Sequence, residues 1–176
     1  ELLSRLEKVE GIDWVRVFYF YPDDLTEDVM DLMAKSTKIT KYLDMPVQHF
    51  ADGVLKRMNR RVTEEVIHQK IKILREKNFV MHAFCSLGTT IKDAGSKENF
   101  YKIDHDFVIE FARWAHQLGA TKFLYVSAIG ADASSSIFYN KVKGQVEEDL
   151  KLIPFEYLGI FQPSILLGHR RENRIG

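Results

Sequence analysis

FVMHAFCSLG (79–88), KENFYKIDHDFVIEFARWAHQLG (97–119) and KFLYVS (122–127) follow one another in the chain, and together they decide the fold. The first and third are short apolar runs rich in β-branched and aromatic residues. Between them Phe100, Ile103, Phe107, Phe111, Trp114 and Leu118 recur at helical spacing, with Gly119 at the position where a helix ends on a left-handed residue. Strand, helix and strand joined by short connections make a right-handed crossover, and therefore parallel strands. Downstream, a helix is predicted from Ser136 to about Leu152, with Phe138, Val142, Val146 and Leu150 on one face, followed by a strand over Phe155–Phe161. Upstream, Leu2, Leu3, Leu6 and Val9 keep helical spacing up to Gly11, and Trp14–Tyr19 reads as a strand covered on both faces. Asp24 and Glu27 stand in a capping-box relation ahead of the stripe Leu25, Val29, Leu32 and Met33. Lys41–Val47 is a second strand, weakened by Pro46, and helices follow around Val54–Met58 and from Thr63 to about Lys77. The alternation predicts an α/β fold: a single, mainly parallel sheet of about five strands with helices on its faces, Rossmann-like, flavodoxin-like or a partial barrel.

Composition narrows the function. The chain has 176 residues, a length suited to about one domain, and its 25 Lys+Arg balance 25 Asp+Glu. Binding driven by net charge, to nucleic acid or to a membrane surface, is therefore not expected. No apolar run reaches the roughly 18 residues that span a bilayer, and ELLSRLEKVE has no signal-peptide character, so a soluble cytoplasmic protein cut from something larger is expected. Cys85 is the single cysteine, which excludes within this chain an internal disulfide, a cysteine-built zinc site and an iron–sulfur cluster on three thiolates. The six histidines show no paired ligand spacing, so no metal is expected. Lys56, Arg57, Arg60 and Arg61 read as a solvated helix face, and the acid pairs Asp23–Asp24 and Asp104–Asp106 as helix-start or surface groups.

Among the ten glycines no two are separated by a single residue, so the G-x-G-x-x-G loop that lets backbone approach a pyrophosphate is absent, as is a Walker A loop. Tyr139 and Lys143 stand one turn apart on the predicted helix, and Ser127 ends the preceding strand. A cation one turn from a tyrosine favours the phenolate, and a nearby hydroxyl can orient a carbonyl, which is the pattern an acid catalyst uses.

The motifs LGTT (87–90), AGS (94–96), VSAIGAD (126–132), YNKVKG (139–144) and PSILLG (163–168) occur in order. Over residues 79–176 they resemble the C-terminal half of the atypical short-chain dehydrogenase/reductases. That resemblance implies Ser127, Tyr139 and Lys143 as a catalytic set, with Leu87, Gly88 and Thr89 passing near the nicotinamide ribose of NAD(P). Ala128 stands where that family often has a second serine, and Gln162 where it has arginine. Over residues 1–78 the strings YPDD (21–24), YLDMPVQH (42–49) and VLKRMNRR (54–61) resemble the middle of a radical-SAM methylthiotransferase, a group that modifies a ribosomal protein or tRNA. There the resemblance implies Gln48 near the SAM site and a three-cysteine cluster loop upstream.

The two resemblances meet near Lys77–Phe79, which predicts a chimera of segments 1–78 and 79–176 packed as one domain, without a complete active site and without a cofactor. Two alternatives stand beside it: an NAD(P)-dependent oxidoreductase, and a fragment of a ribosomal-protein or tRNA methylthiotransferase. Faces severed from larger parents favour self-association, as a dimer or by exchange of elements, with no nucleic-acid or membrane partner.

Overall fold

The structure, a computed structural model, describes residues 1–164. The chain divides into two compact units, Glu1–Val80 and Met81–Gly176. Both are α/β, and every strand pairing is parallel. The expected single sheet of about five strands is instead two sheets, one of two strands and one of three. Tyr19 and Gln48, both at φ 65°, break the extended backbone beyond the first two strands, and those strands pair only with each other.

In the first unit, helix α1 (Leu2–Leu6) is followed by β1 (Val15–Val17), helix α2 (Glu27–Lys35), β2 (Ile39–Leu43), α3 (Asp52–Arg57) and α4 (Glu64–Glu76). β1 is shorter than the apolar run that announced it, and Trp14, Phe18 and Tyr19 are exposed, so the expectation of a strand covered on both faces is corrected. The Asp24 capping box does not form, because Pro22 starts a 3-10 turn over Pro22–Asp24 and Leu25 is extended, which moves the N-cap of α2 to Thr26. α4 begins where expected: the Thr63 hydroxyl accepts from the Val66 N–H. Leu25, Met30, Met33, Ile39, Leu74 and Phe79 form the core of this unit, drawn from the apolar stripes of α2 and α4 and from β2. Lys77 Nζ donates to Asp31 Oδ1 and ties the end of α4 to α2.

The second unit begins with β3 (Met81–Cys85). Short helices α5 (Ile91–Ala94) and α6 (Lys97–Tyr101), a π-helical turn over Lys102–Asp106, and helix α7 (Phe107–Gln117) lead to β4 (Ala120–Val126). Helix α8 (Phe138–Lys151) and β5 (Tyr157–Phe161) complete it, and the strand order is β3-β4-β5. Alternation along β4 sends Phe123 and Tyr125 to the helix-covered face, fully buried with Val142, Val146 and Leu150 of α8. Burying a side chain such as Phe123 or Val146 contributes about 1.5–3 kcal/mol. The opposite face of the sheet keeps Phe84, Val126, Tyr157 and Phe161 exposed.

The single helix expected over 97–118 is interrupted. Ser96 caps α6 through the Asn99 N–H, and the π turn widens the ladder between α6 and α7, so that the consecutive residues Asp104 and His105 both point inward. Asp104 is fully buried, which corrects its reading as a helix-start or surface group. Gly144 is required by close approach: a Cβ there would stand 2.1 Å from the Ala133 amide nitrogen and 2.2 Å from the Asp132 carbonyl carbon. Among the described residues no helix is long and apolar enough to cross a membrane.

Candidate functional site

In open parallel sheets, ligands bind beyond the carboxyl ends of the strands. The second unit has a cavity of about 350 Å³ there, lined by the Ser86–Thr90 loop that leaves β3, by Val126 and Ser127 at the end of β4, by Asp93 and Asp104, and by Tyr139 and Lys143 of α8. Leu87, Gly88, Thr89, Ser127, Tyr139 and Lys143, singled out from widely separated parts of the sequence, therefore all line one pocket. Strand ends bring the loop and Ser127 together, and the one-turn spacing on α8 brings Tyr139 and Lys143 to the same side.

The polar pairing differs from the arrangement expected of the motif. Lys143, only 3% exposed, sets its Nζ 2.8 Å from Asp104 Oδ1 and donates to the Tyr125 hydroxyl at 3.1 Å. A buried ammonium needs a counter-charge, and the carboxylate supplied by the π turn is that charge. Tyr139 is about one-third exposed, with its ring 5.8 Å from that of Phe100. Ser127 donates its hydroxyl to Glu147 Oε1 at 2.5 Å, and Gln162 Nε2 donates to both oxygens of the same carboxylate, at 2.8 and 3.0 Å. Gln162, standing where arginine was the family pattern, thus serves as a neutral partner for Glu147.

Burial pushes the Tyr125 phenol well above its usual range, reinforced by Cys85 and Asp104, so it stays protonated. Burial likewise raises the Cys85 thiol, against the opposing pull of a hydrogen bond from the Leu87 N–H and of the Lys143 charge. Below the pocket His105 is held between two carboxylates, Nδ1 2.9 Å from Asp106 Oδ1 and Nε2 3.0 Å from Asp149 Oδ2, with its ring stacked on Tyr101. Asp104, Tyr125 and His105 were not recognised as site residues from the sequence. Alternation with Phe123 and Ser127 marks Tyr125 as inward; nothing in the helical periodicity marks the π turn that turns the other two in.

A second group of loops sits at the carboxyl ends of β1 and β2. The Phe20 N–H donates to the Asp44 carbonyl at 2.8 Å, joining the two loops. Non-glycine residues at positive φ, Tyr19 in one and Gln48 in the other, hold backbone in a sparsely populated region of the kind that gathers at functional sites. Arg16 lies over the rings of Phe18 and Tyr42, and Arg60 over that of Tyr21. Arg60 therefore has a stacked aromatic partner that its reading as part of a solvated basic face did not include. Among the described residues no group of three His, Cys, Asp or Glu could hold a metal ion.

Two units with parallel sheets, each with irregular loops at the carboxyl ends of its strands, define an α/β protein. Known proteins make the likeness more specific. The chain is 44% identical over 165 residues to a Clostridium botulinum protein called ribosomal protein uS12 methylthiotransferase RimO, a stretch covering 94% of this chain and 34% of that protein. The protein of that name from Clostridium tetani is 32% identical over 149 residues, 85% of this chain and 33% of its own length. The one from Elusimicrobium minutum is 49% identical over 76 residues, 43% of this chain and 18% of its own length. No family model matches the chain. The chain spans about a third of the length of the clostridial relatives, and homology to radical-SAM methylthiotransferases runs over much of it. Single relatives matched over as much as 94% of the chain favour one line of descent over the two joined parents expected from the motifs, and the dehydrogenase resemblance gains no support from them.

Proposed function

We propose that this chain is a portion of a ribosomal-protein methylthiotransferase and that its contribution is recognition of the protein substrate. The observation that carries the reading is the 44% identity over 165 residues to a uS12 methylthiotransferase. The iron–sulfur cluster of a radical-SAM enzyme does not fit the residues present: three thiolates are needed, and Cys85, buried at the end of β3, is the single cysteine. No step through a cluster is therefore assigned to this chain. What remains is binding, and the paired loops after β1 and β2, with Tyr19 and Gln48 in strained conformations, are the surface suited to it. Calorimetric titration of the folded chain with purified uS12 is expected to give saturable one-to-one binding, weakened about tenfold (1.4 kcal/mol) by Gln48→Ala. A folded chain that releases no heat with uS12 overturns the proposal.

The pocket of the second unit supports a second reading, an oxidoreductase acting on a carbonyl. It is favoured by the convergence of Leu87, Gly88, Thr89, Ser127, Tyr139 and Lys143 on one cavity. The residues suit the carbonyl end of such a reaction, where Tyr139 offers a hydroxyl and Lys143 a nearby positive charge, and Leu87–Thr89 would border the nicotinamide of NAD(P). They do not suit the diphosphate, since among the described residues Lys143 is the one cation lining the pocket, it faces Asp104, and the sequence has no G-x-G-x-x-G loop. A saturable change in NADPH fluorescence on titration of the folded chain would move the balance to this reading; no change removes it.

A further inference from the structure

Asp104 has a place in the second unit that neither functional reading uses. It is fully buried, and its two oxygens reach in different directions. Oδ1 meets Lys143 Nζ at 2.8 Å, while Oδ2 accepts the backbone N–H of Thr89 at 2.8 Å. One carboxylate thus joins three pieces of chain: the π turn that carries it, the buried lysine of α8, and the loop that walls the pocket. Gly88 lies directly over the pair. A Cβ built there would stand 3.3 Å from Asp104 Oδ1 and 3.5 Å from Lys143 Nζ, so the loop rests on the two charges with little space between. The same loop is held at its start by the Leu87 N–H, which bonds the Cys85 thiol.

We propose that Asp104 is a positioning residue that latches the Ser86–Thr90 loop onto Lys143, so that the pocket keeps its shape only while the Asp104–Lys143 pair is intact. The physical reason is the asymmetry of buried charge. With the loop down, the carboxylate has the ammonium and a backbone donor and is fully buried. With either partner lost, it must be rehydrated, and the loop above it is the element free to lift. The chain's other interactions hold α8 and β4 through apolar packing of Val142, Val146, Phe123 and Leu150, and do not depend on the pair. The latch uses only the chain's own groups and operates whichever of the two functions holds.

The test is residue-resolved hydrogen exchange at the Leu87 and Thr89 amides of the full chain, measured by NMR at several low urea concentrations. The decisive variant is the double substitution Asp104→Leu/Lys143→Met, which removes both charges together and leaves no unpaired charge in the core. Both amides are expected to exchange about tenfold faster or more than in wild type, with rates that do not change with urea, the signature of local opening. Amides of Phe123 and Val146 are expected to keep wild-type rates. Lys143→Arg, which retains the cation, is expected to keep Leu87 and Thr89 near wild type. Wild-type exchange at Leu87 and Thr89 in the double variant overturns the latch, as does acceleration that rises with urea in step with Phe123 and Val146. Should the double variant fail to fold, Gly88→Ala decides, because it disturbs only the loop. Faster, urea-independent exchange at Thr89 supports the latch, and wild-type rates overturn it.

Discussion

Replacing Lys143 alone by methionine should strongly destabilise the second unit, because it leaves the Asp104 carboxylate without its counter-charge. The side chain is nearly isosteric along its stem, so the change removes one charge from a pair in which Asp104 is fully buried and Lys143 is 3% exposed. At the observed separation of 2.8 Å the attraction is about 6 kcal/mol for an effective dielectric of 20. Part of that offsets the desolvation of both ions, and the measured loss on removing one partner of such a pair is roughly 3–5 kcal/mol. With a urea dependence of about 1–2 kcal/mol/M, the midpoint falls by roughly 1.5–5 M. Urea titration followed by tryptophan fluorescence reads this directly, because Trp114 is buried in the second unit while Trp14 of the first is exposed already. The companion Asp104→Leu/Lys143→Met should recover most of the loss, since an apolar pair of similar volume is close to neutral in such exchanges. A single variant within 1 kcal/mol of wild type, or a double variant as unstable as the single, would refute the reasoning.

Other consequences are equally direct. Gly144→Ala should destabilise the second unit by about 3 kcal/mol or more, because the new methyl meets the backbone of Asp132 and Ala133 rather than a side chain that can turn away; thermal melting checks it. The contact between Lys77 and Asp31 should weaken at both pH extremes. The hydrogen bond to Lys77 lowers the Asp31 carboxyl, so its contribution is present above the unfolded value near 3.8 and lost as pH falls through the lower folded value. The same bond raises Lys77, whose contribution is complete below the unfolded value near 10.5 and lost as pH rises through the higher folded value. The difference in stability between wild type and Lys77→Met, measured across pH, should therefore be flat between those limits and vanish outside them. Alkylation of the single thiol, Cys85, should show a pH midpoint above that of a free cysteine, because burial disfavours the thiolate; a midpoint at or below the free value would contradict the packing at the end of β3.

The alternation of strands and helices was legible because each amphipathic stripe reports which face is buried: Leu25, Met33, Val142, Val146 and Leu150 are buried as their spacing requires, whereas Val29 and Leu32 are half-buried and Met30 takes the inner position on α2. Division into two sheets was not legible. Apolar spacing along a strand reports which face is buried and not which strand lies beside it, and β1 and β2 pair only with each other. The six residues that the motifs singled out line one cavity. Its electrostatics were not legible, because a helical reading places one residue per turn inward, and only a π turn directs Asp104 and His105 inward together. Lys143 was read as the partner of Tyr139 from sequence spacing alone; with a buried carboxylate within reach, it pairs with Asp104. The resemblance of residues 79–176 to a dehydrogenase rested on short motifs, the last four residues of PSILLG lie outside the described residues, and longer stretches of identity point to the methylthiotransferases.

A titration of isotope-labelled chain with uS12, followed by amide chemical shifts, bears most directly on the function proposed here. Shifts concentrated in residues 18–22 and 44–51, the loops beyond β1 and β2, are the predicted result. Spectra unchanged at saturating uS12, or shifts confined to Ser86–Thr90, would contradict it.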